Sequence, residues 1–216
     1  MQFMGHDLSA SERQKVTAAI ISAEAHTTGE IVVVAARESD DYIHVPIHIA
    51  TSCALAVPLV AWIWAQFFPW DEPLNLWWLF VAQLLVYIAV ALGLSLPALR
   101  RAITPMSLKR KYAHRNAAAQ FLATNIAATR QRTGVLIFVS LLERYVEVIG
   151  DEAIAAKLSA ADWQKIVDEM VPLLGEGRTS DALVLGVEHA GAVLAKHFPA
   201  KGHVVNELPN RFIVLG

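Results

Sequence analysis

Cysteine is nearly absent from this chain, since Cys53 is the one cysteine in 216 residues. A single cysteine cannot form an intrachain disulfide, so the sequence gives no sign of an oxidising compartment or of a disulfide-based fold. Residues 1–30 also lack the apolar core of a secretory signal peptide, and we therefore expect the first apolar segment itself to direct membrane insertion.

Sequence motifs for nucleophiles and for phosphate binding are missing as well. The chain has no Gly-x-Ser-x-Gly, no Gly-x-x-x-x-Gly-Lys and no dinucleotide fingerprint. An enzyme built on this sequence would therefore depend on a metal ion and carboxylates. The basic segment after residue 99 lacks interleaved aromatic residues except Tyr112, which argues against nucleic acid as a partner.

Charge is missing from two long stretches, residues 47–70 and 74–99. At about 1.5 Å rise per residue, a helix of either length crosses the roughly 30 Å hydrocarbon core of a lipid bilayer. We predict transmembrane helices at about 47–69 and 74–98, joined as a helical hairpin over residues 46–99. The alternative, a buried hairpin in a soluble core, requires more apolar helix than most soluble domains bury.

The turn of this hairpin carries Asp71 and Glu72 and is surrounded by tryptophans, as is typical of a membrane–water interface. Basic residues follow the second span, whereas the turn has none, so the positive-inside rule places both ends of the hairpin in the cytoplasm. We expect the bacterial inner membrane, with anionic headgroups bound by this basic collar. The collar consists of Arg100, Arg101, Lys109, Arg110, Lys111 and Arg115.

Because the hairpin begins and ends on one side of the membrane, residues 1–45 and 100–216 are expected to form one split soluble α/β domain. Residues 30–36 and 135–139 are continuous apolar runs rich in β-branched side chains, which predict strands covered on both faces. Residues 145–149 predict the second strand of a β-hairpin. The predicted fold is a small mixed sheet sandwiched by helices, interrupted by the transmembrane hairpin.

Helices are predicted around these strands. Ser9 and Glu12 have the spacing of a capping box, and Ser159 with Asp162 repeats that signal. Residues 106–129 lack glycine and proline and predict one long helix after the membrane hairpin. The apolar residues 212–215 predict an edge strand or a segment that lies on the domain.

Three stretches of the chain resemble the TPM-domain family. They are Thr28-Gly29-Glu30-Ile31-Val32-Val33-Val34, Thr133-Gly134-Val135-Leu136-Ile137-Phe138-Val139-Ser140 and Glu143-Arg144-Tyr145-Val146-Glu147-Val148. The resemblance implies a sheet sandwiched by helices. It also implies either an acid-phosphatase activity with a carboxylate-lined metal site, as proposed for some members, or an assembly or accessory role. With its apolar hairpin, the chain resembles a membrane-anchored bacterial branch of that family.

The chain departs from the family pattern at two places. An Asp-Asn pair commonly precedes the second strand in the family, and Arg132-Thr133 stands there in this chain. The glycine-rich turn that usually follows the hairpin is replaced by residues 150–154, which include Asp151 and Glu152. The first departure removes a carboxylate from the family pattern, and the second implies that the carboxylates have either moved or no longer serve a site.

The acidic loop after the first strand is the candidate metal site. Glu38, Asp40 and Asp41 follow a strand end, where ligands of open α/β sheets usually bind, and three carboxylates suit a hard cation such as Ca²⁺ or Mg²⁺. The alternative is a solvated acidic loop. Asp151 and Glu152 would add ligands if the end of the hairpin lay near.

Other polar pairs have simpler explanations. His44 and His48 lie four residues apart at the membrane entry without further ligand residues, which favours interfacial histidines over a metal site. Glu188 and His189 are helix neighbours that point in different directions, which favours an exposed pair. Glu143 and Arg144 lie at a hairpin tip, which favours an exposed charged turn.

Two function classes follow from these features. The first is an interaction, assembly or accessory module anchored at the cytoplasmic face of the membrane, with a membrane protein as its partner. The alternative is a metal-dependent, phosphatase-like hydrolase that uses the acidic loop. The sequence motifs favour the first class, because no nucleophile motif is present.

Overall fold

The computed structural model describes residues 8–68, 75–129, 131–200 and 212–215. The chain divides into two compact units, one formed by residues up to 40 and from 109 onward, the other by residues 41–108. The predicted polar turn of the hairpin, with Asp71 and Glu72, lies outside the described residues. The domain boundaries expected from the sequence stay a prediction.

Four strands and eight α-helices are described along the chain. In order they are α1 (Ala10–Glu24), β1 (Glu30–Ala36), α2 (His44–Phe67), α3 (Leu76–Leu94), α4 (Pro97–Ile103), α5 (Met106–Ala123), β2 (Gly134–Ser140), β3 (Tyr145–Gly150), α6 (Glu152–Ala155), α7 (Ala160–Gly175), α8 (Thr179–His197) and β4 (Phe212–Leu215).

The four strands form one mixed sheet with the order β3-β2-β1-β4. β1 and β2 are parallel, with Val33 opposite Ile137, and β3 is antiparallel to β2. Every residue of β1 and β2 is buried, as the continuous apolar runs predicted. β4 pairs in parallel with the other side of β1 and is an outer strand of the sheet.

Helices cover both faces of the sheet. On one face, residues of α1, α7 and α8 such as Ile20, Met170 and Leu183 pack against alternate residues of the central strands. On the other face, Ala117 of α5 and Ile126 pack against the residues between them. The α/β sandwich expected from the sequence is confirmed, because the two strand runs need apolar cover on both faces.

The helix predicted over residues 106–129 is wrong in its second part. α5 ends at Ala123, Asn125 adopts a left-handed conformation with φ 57°, and a short 3-10 turn follows at Ile126–Ala128. This break turns Ile126 into the core beneath β2, where a Cβ added at Gly134 would lie 2.2 Å from its side chain. Both capping boxes form as predicted, at Ser9 and at Ser159.

The second unit contains the apolar helices α2 and α3, which pack against each other. Both are long and apolar enough to cross a membrane, by length and composition. No residue of α3 is buried, although its sequence contains large apolar side chains throughout. Pro58 lies inside α2.

Candidate functional site

The carboxyl ends of the two central parallel strands meet at one edge of the sheet, because Ala36 of β1 lies opposite Ser140 of β2. In open α/β sheets this edge is where ligands usually bind. Two hydrogen-bond networks and one cavity of the first unit lie at or near the carboxyl ends of β1 and β2.

The first network joins the exit of β1 to the β2–β3 hairpin. The side chain of Ser140 donates a hydrogen bond to the Glu143 carboxylate, and the backbone amide of Ser39 donates to the same carboxylate at 3.2 Å. The Oγ atoms of Ser39 and Ser140 lie 2.8 Å apart. Since the single proton of the Ser140 hydroxyl goes to Glu143, Ser39 is the donor in that contact.

Glu143 is therefore not part of an exposed charged turn, as its position at a hairpin tip had favoured. Glu143 is only 3% exposed, and Ser140 beside it is fully buried. The next residue, Arg144, has φ 51° and is exposed. Hydroxyl and amide donors replace water around the Glu143 carboxylate, which is what makes its burial tolerable.

The acidic loop begins at the same edge. Glu38 and Asp40 are half-buried and each has an interaction partner, and Asp41 is exposed. Across the described residues, no three His, Cys, Asp or Glu side chains are grouped so as to hold a metal ion. The metal site of Glu38, Asp40 and Asp41 stays a prediction.

Asp151 and Glu152 lie at the opposite edge, since β3 runs antiparallel to β2 and Gly150 pairs with Val135. Asp151 caps the backbone amide of Glu152 at 2.7 Å, and Arg132 Nε lies 3.1 Å from its other carboxylate oxygen. Arg132 also lies 3.4 Å from the Glu152 carboxylate. These carboxylates therefore stabilise the chain around β2 and add nothing to the acidic loop.

The second network lies between α5 and β3. His114 Nδ1 is 2.9 Å from Oε1 and 3.1 Å from Oε2 of Glu147, and the Tyr145 hydroxyl donates to Oε2 of Glu147 at 2.9 Å. Burial, followed by the contact with Glu147, raises the pKa of the Tyr145 phenol, so Tyr145 stays a hydrogen-bond donor. Tyr145 is opposite Ser140 in the sheet, which links the two networks.

This second network was not predicted from the sequence. Tyr145 and Glu147 alternate along β3 and so share a face of the sheet, which is a signal that the sequence carries. His114, however, is 33 residues away from Glu147. Only the packing of α5 on the sheet brings its imidazole to that carboxylate.

A cavity of about 230 Å³ lies on the face covered by α1 and α7. Its lining is mainly apolar, with Glu12 and Arg144 among the polar residues. Glu12 is engaged in the capping box of α1, where the hydrogen bonds from Ser9 lower the pKa of its carboxyl. The apolar residues of the lining include Leu8, Val139, Leu141, Leu142, Val146 and Leu174.

The structure gives His48 and His189 contacts that the sequence did not predict. The rings of His44 and His48 lie 6.2 Å apart, but Nδ1 of His48 contacts the backbone carbonyl of His44 at 2.6 Å. His189 of α8 does not pair with its sequence neighbour Glu188. Its Nδ1 lies 2.7 Å from the carboxylate of Glu169 on α7.

Comparisons with known proteins agree with this fold. The NMR structure of the BA42 protein from the psychrophilic bacterium Bizionia argentinensis is similar, with a TM-score of 0.59 and 20% sequence identity over 99% of each chain. At this identity the likeness shows the fold alone. No curated protein matches the chain.

A family model, described as the TPM domain, matches residues 101–193. The match includes two of the three stretches that carry the resemblance noted in the sequence, together with His114, Tyr145 and Glu147 of the second network. It also contains β2, β3 and most of α8. The resemblance to the TPM-domain family is thereby confirmed over residues 101–193.

Proposed function

We propose that this protein is a TPM domain anchored in the membrane by α2 and α3, acting as an interaction or assembly module at the cytoplasmic face. The observation that carries the proposal is the exposure of apolar side chains on both helices. Leu76 is 78% exposed, Phe67 is 75% exposed and Leu92 is 68% exposed. Leaving such a surface in water would cost roughly 25 cal/mol for each Å² of apolar area.

The basic collar supports the proposed orientation. Four of its side chains lie on α5, which has no acidic residue along its length. Cationic side chains next to a membrane span stay on the cytoplasmic side, and each is worth about 1 kcal/mol at an anionic surface. The partners of the module are accordingly the bilayer, its anionic headgroups and a membrane protein.

Membrane extraction tests the anchor. Membranes from cells that express the full chain are washed with alkaline carbonate, and we expect the protein to stay in the pellet. Leu85→Arg together with Ile88→Arg should release it, because an arginine at the centre of a span costs about 2.5–3.5 kcal/mol. Leu122→Arg is the matched control, since Leu122 is 70% exposed on α5 outside the apolar helices. Carbonate release of the unmodified chain would contradict the anchor.

Two further measurements test on which side of the membrane the domain lies and whether it binds a membrane protein. A reporter fused after Gly216 should report the cytoplasm, and one inserted at Asp71 the other side. Chemical cross-linking in intact membranes should give one defined complex with a membrane protein. A chain that cross-links to nothing but itself would contradict the interaction role.

A metal-dependent hydrolase is the second candidate. It is favoured by the hydrogen bond from the backbone amide of Ser39, inside the acidic loop, to Glu143 at the carboxyl end of the central strands. The full chain in detergent would be assayed on a phosphate ester with Mg²⁺, Mn²⁺ or Ca²⁺. Metal-dependent turnover that Asp40→Ala abolishes would establish the hydrolase, and its absence would leave the interaction module as the function.

A further inference from the structure

The cavity on the face covered by α1 and α7 belongs neither to the apolar helices nor to the acidic loop. Its volume is about 230 Å³. An apolar cavity of about 150 Å³ holds a benzene molecule, so by proportion this one holds roughly nine non-hydrogen atoms. Ser140, the last residue of β2, is part of its lining, and ligands of α/β sheets bind at that end of the strands. The cavity therefore has the position of a ligand site and room for a small molecule.

Aliphatic side chains form most of the cavity wall. Val139 is 1% exposed and lies at the inner wall, whereas Leu141 and Val146 are half-buried. Val171 of α7 is 48% exposed, so the cavity opens to solvent beside it. Within the described part of the chain, no aromatic side chain lines the cavity. Such a wall favours an aliphatic chain, because it offers apolar contact but no ring face for stacking.

Arg144 supplies a positive charge to this apolar cavity. Its side chain is exposed, and among the described residues it is the one cation of the lining. Arg144 has an interaction partner in the chain, and its guanidinium has five N–H donors, so donors remain for a ligand. A guanidinium holds a carboxylate through two parallel hydrogen bonds. The single charge of a carboxylate therefore matches this side of the cavity.

The backbone of Arg144 is held in a conformation that arginine seldom adopts. Its φ is 51°, in the left-handed region that glycine occupies without cost. Such strain persists only where the surroundings impose it, and it is common at ligand clamps. Glycine would suit this turn better, so the arginine indicates a role for its side chain beyond the turn.

Glu12 is an acidic residue of the lining, and its charge is already balanced. The hydroxyl and the backbone amide of Ser9 donate to its carboxylate at 2.7 and 2.8 Å, and these bonds lower the pKa of that carboxyl. Glu12 lies in the first turn of α1, where the helix dipole offsets a negative charge. Arg144 is consequently the group that determines the charge of a ligand.

We propose that this cavity binds a medium-chain fatty acid, with the aliphatic chain between β2, the β2–β3 loop and α7, and with the carboxylate on Arg144. An eight-carbon chain fits the roughly nine non-hydrogen atoms that the volume allows. This binding site goes beyond the interaction module. It uses residues of the first unit alone, so its test is independent of whether α2 and α3 span a membrane.

Octanoate is the probe, and the full chain is held in lipid nanodiscs because a detergent would itself offer alkyl chains to the cavity. Isothermal titration should show saturable binding of one octanoate per chain. The Kd should fall about fourfold for each methylene added from butanoate to octanoate, and dodecanoate should gain nothing more once the cavity is full. Octan-1-ol, which has the same chain but no carboxylate, should bind at least about tenfold more weakly. Heat without saturation would be partition into lipid and would overturn the proposal.

Variants separate the charge from the chain. Arg144→Gly should keep or raise the melting temperature, because it relieves the backbone at φ 51°, while it weakens octanoate at least about tenfold and leaves octan-1-ol unchanged. Arg144→Lys should recover part of the affinity, and Arg115→Gln on α5, outside the cavity, should change nothing. Val146→Phe fills the cavity and should abolish binding of both probes. If that variant does not fold, Val171→Trp closes the cavity from its exposed side.

Photocrosslinking locates the probe on the chain. An octanoate analogue with a diazirine at the end of its chain should label peptides that contain Val139 or Leu174, and excess octanoate should prevent the labelling. Labelling confined to α2 and α3 would overturn the proposal. Equal octanoate affinity of Arg144→Gly and the unmodified chain would overturn it as well, since the carboxylate would then have no partner at Arg144.

Discussion

The backbone amide of Ile31, at the start of β1, donates a hydrogen bond of 2.8 Å to the carboxyl group of Glu24, the last residue of α1. Glu24 is buried, and Glu30 is a second buried carboxyl close to it. Burial, together with Glu30, raises the pKa of Glu24 to about 8, although the Ile31 amide acts in the opposite direction.

The first prediction is a loss of stability as the pH rises from about 4.5 to about 8. Because the pKa of Glu24 is raised on folding, its contribution is fully present below about pH 4.5 and is lost as the pH rises through about 8. Each unit of pKa difference corresponds to about 1.4 kcal/mol. Melting temperatures of the full chain from acidic to alkaline pH should therefore fall, and Glu24→Gln should flatten that dependence.

Glu188→Gln is the control for this titration, since Glu188 is exposed on α8. It should leave the pH dependence of the melting temperature unchanged. If Glu24→Gln follows the same pH curve as the unmodified protein, the Glu24 carboxyl does not titrate in the folded state as stated.

The second prediction concerns the close packing of α1 and α8. A Cβ added at Gly191 would lie 2.6 Å from Cβ and 3.3 Å from Cα of Ala23, so a helix backbone would have to move. Gly191→Ala should lower the free energy of unfolding by about 1–3 kcal/mol, as overpacking usually does. Gly175→Ala, with no atom within 4 Å of the new Cβ, should leave the melting temperature unchanged or slightly raised. Equal effects of the two substitutions would contradict the packing argument.

The third prediction concerns the carboxylate at the hairpin tip. Glu143→Ala removes the acceptor of the Ser140 hydroxyl and of the Ser39 amide, and an unsatisfied buried donor costs about 1–3 kcal/mol. Glu143→Gln keeps one carbonyl oxygen and should cost less. Thermal unfolding of both variants measures the difference. If Glu143→Ala unfolds at the temperature of the unmodified chain, water satisfies these donors and the network contributes nothing.

The fourth prediction tests the acidic loop as a metal site. A cation that binds only the folded state stabilises it in proportion to the logarithm of its concentration over its dissociation constant. Ca²⁺ or Mg²⁺ should therefore raise the melting temperature, and Asp40→Asn with Asp41→Asn should remove that shift. Should millimolar metal leave the unmodified chain unaffected, the loop is solvated and the metal-dependent hydrolase loses its site.

Much of the architecture followed from local patterns. Continuous β-branched runs predicted β1 and β2 as buried strands, because such a run is stable only when both faces are covered. The capping boxes at Ser9 and Ser159 formed as predicted, since each depends on residues three positions apart. The end of α5 was missed because the break at Asn125 goes with the packing of Ile126 against Gly134 of β2, a contact that the helical pattern of residues 106–129 does not show.

By itself, the sequence determined the elements, the central strands and the apolar hairpin, because these depend on hydrophobic period, length and turn chemistry within a short window. Only the tertiary structure decided which polar groups far apart in the sequence meet. His114 with Glu147 and His189 with Glu169 are pairs between elements, and Arg132 with Asp151 joins the segment before β2 to the segment after β3. Such contacts depend on the register of the sheet and the placement of helices on it, which are fixed by packing of the whole domain.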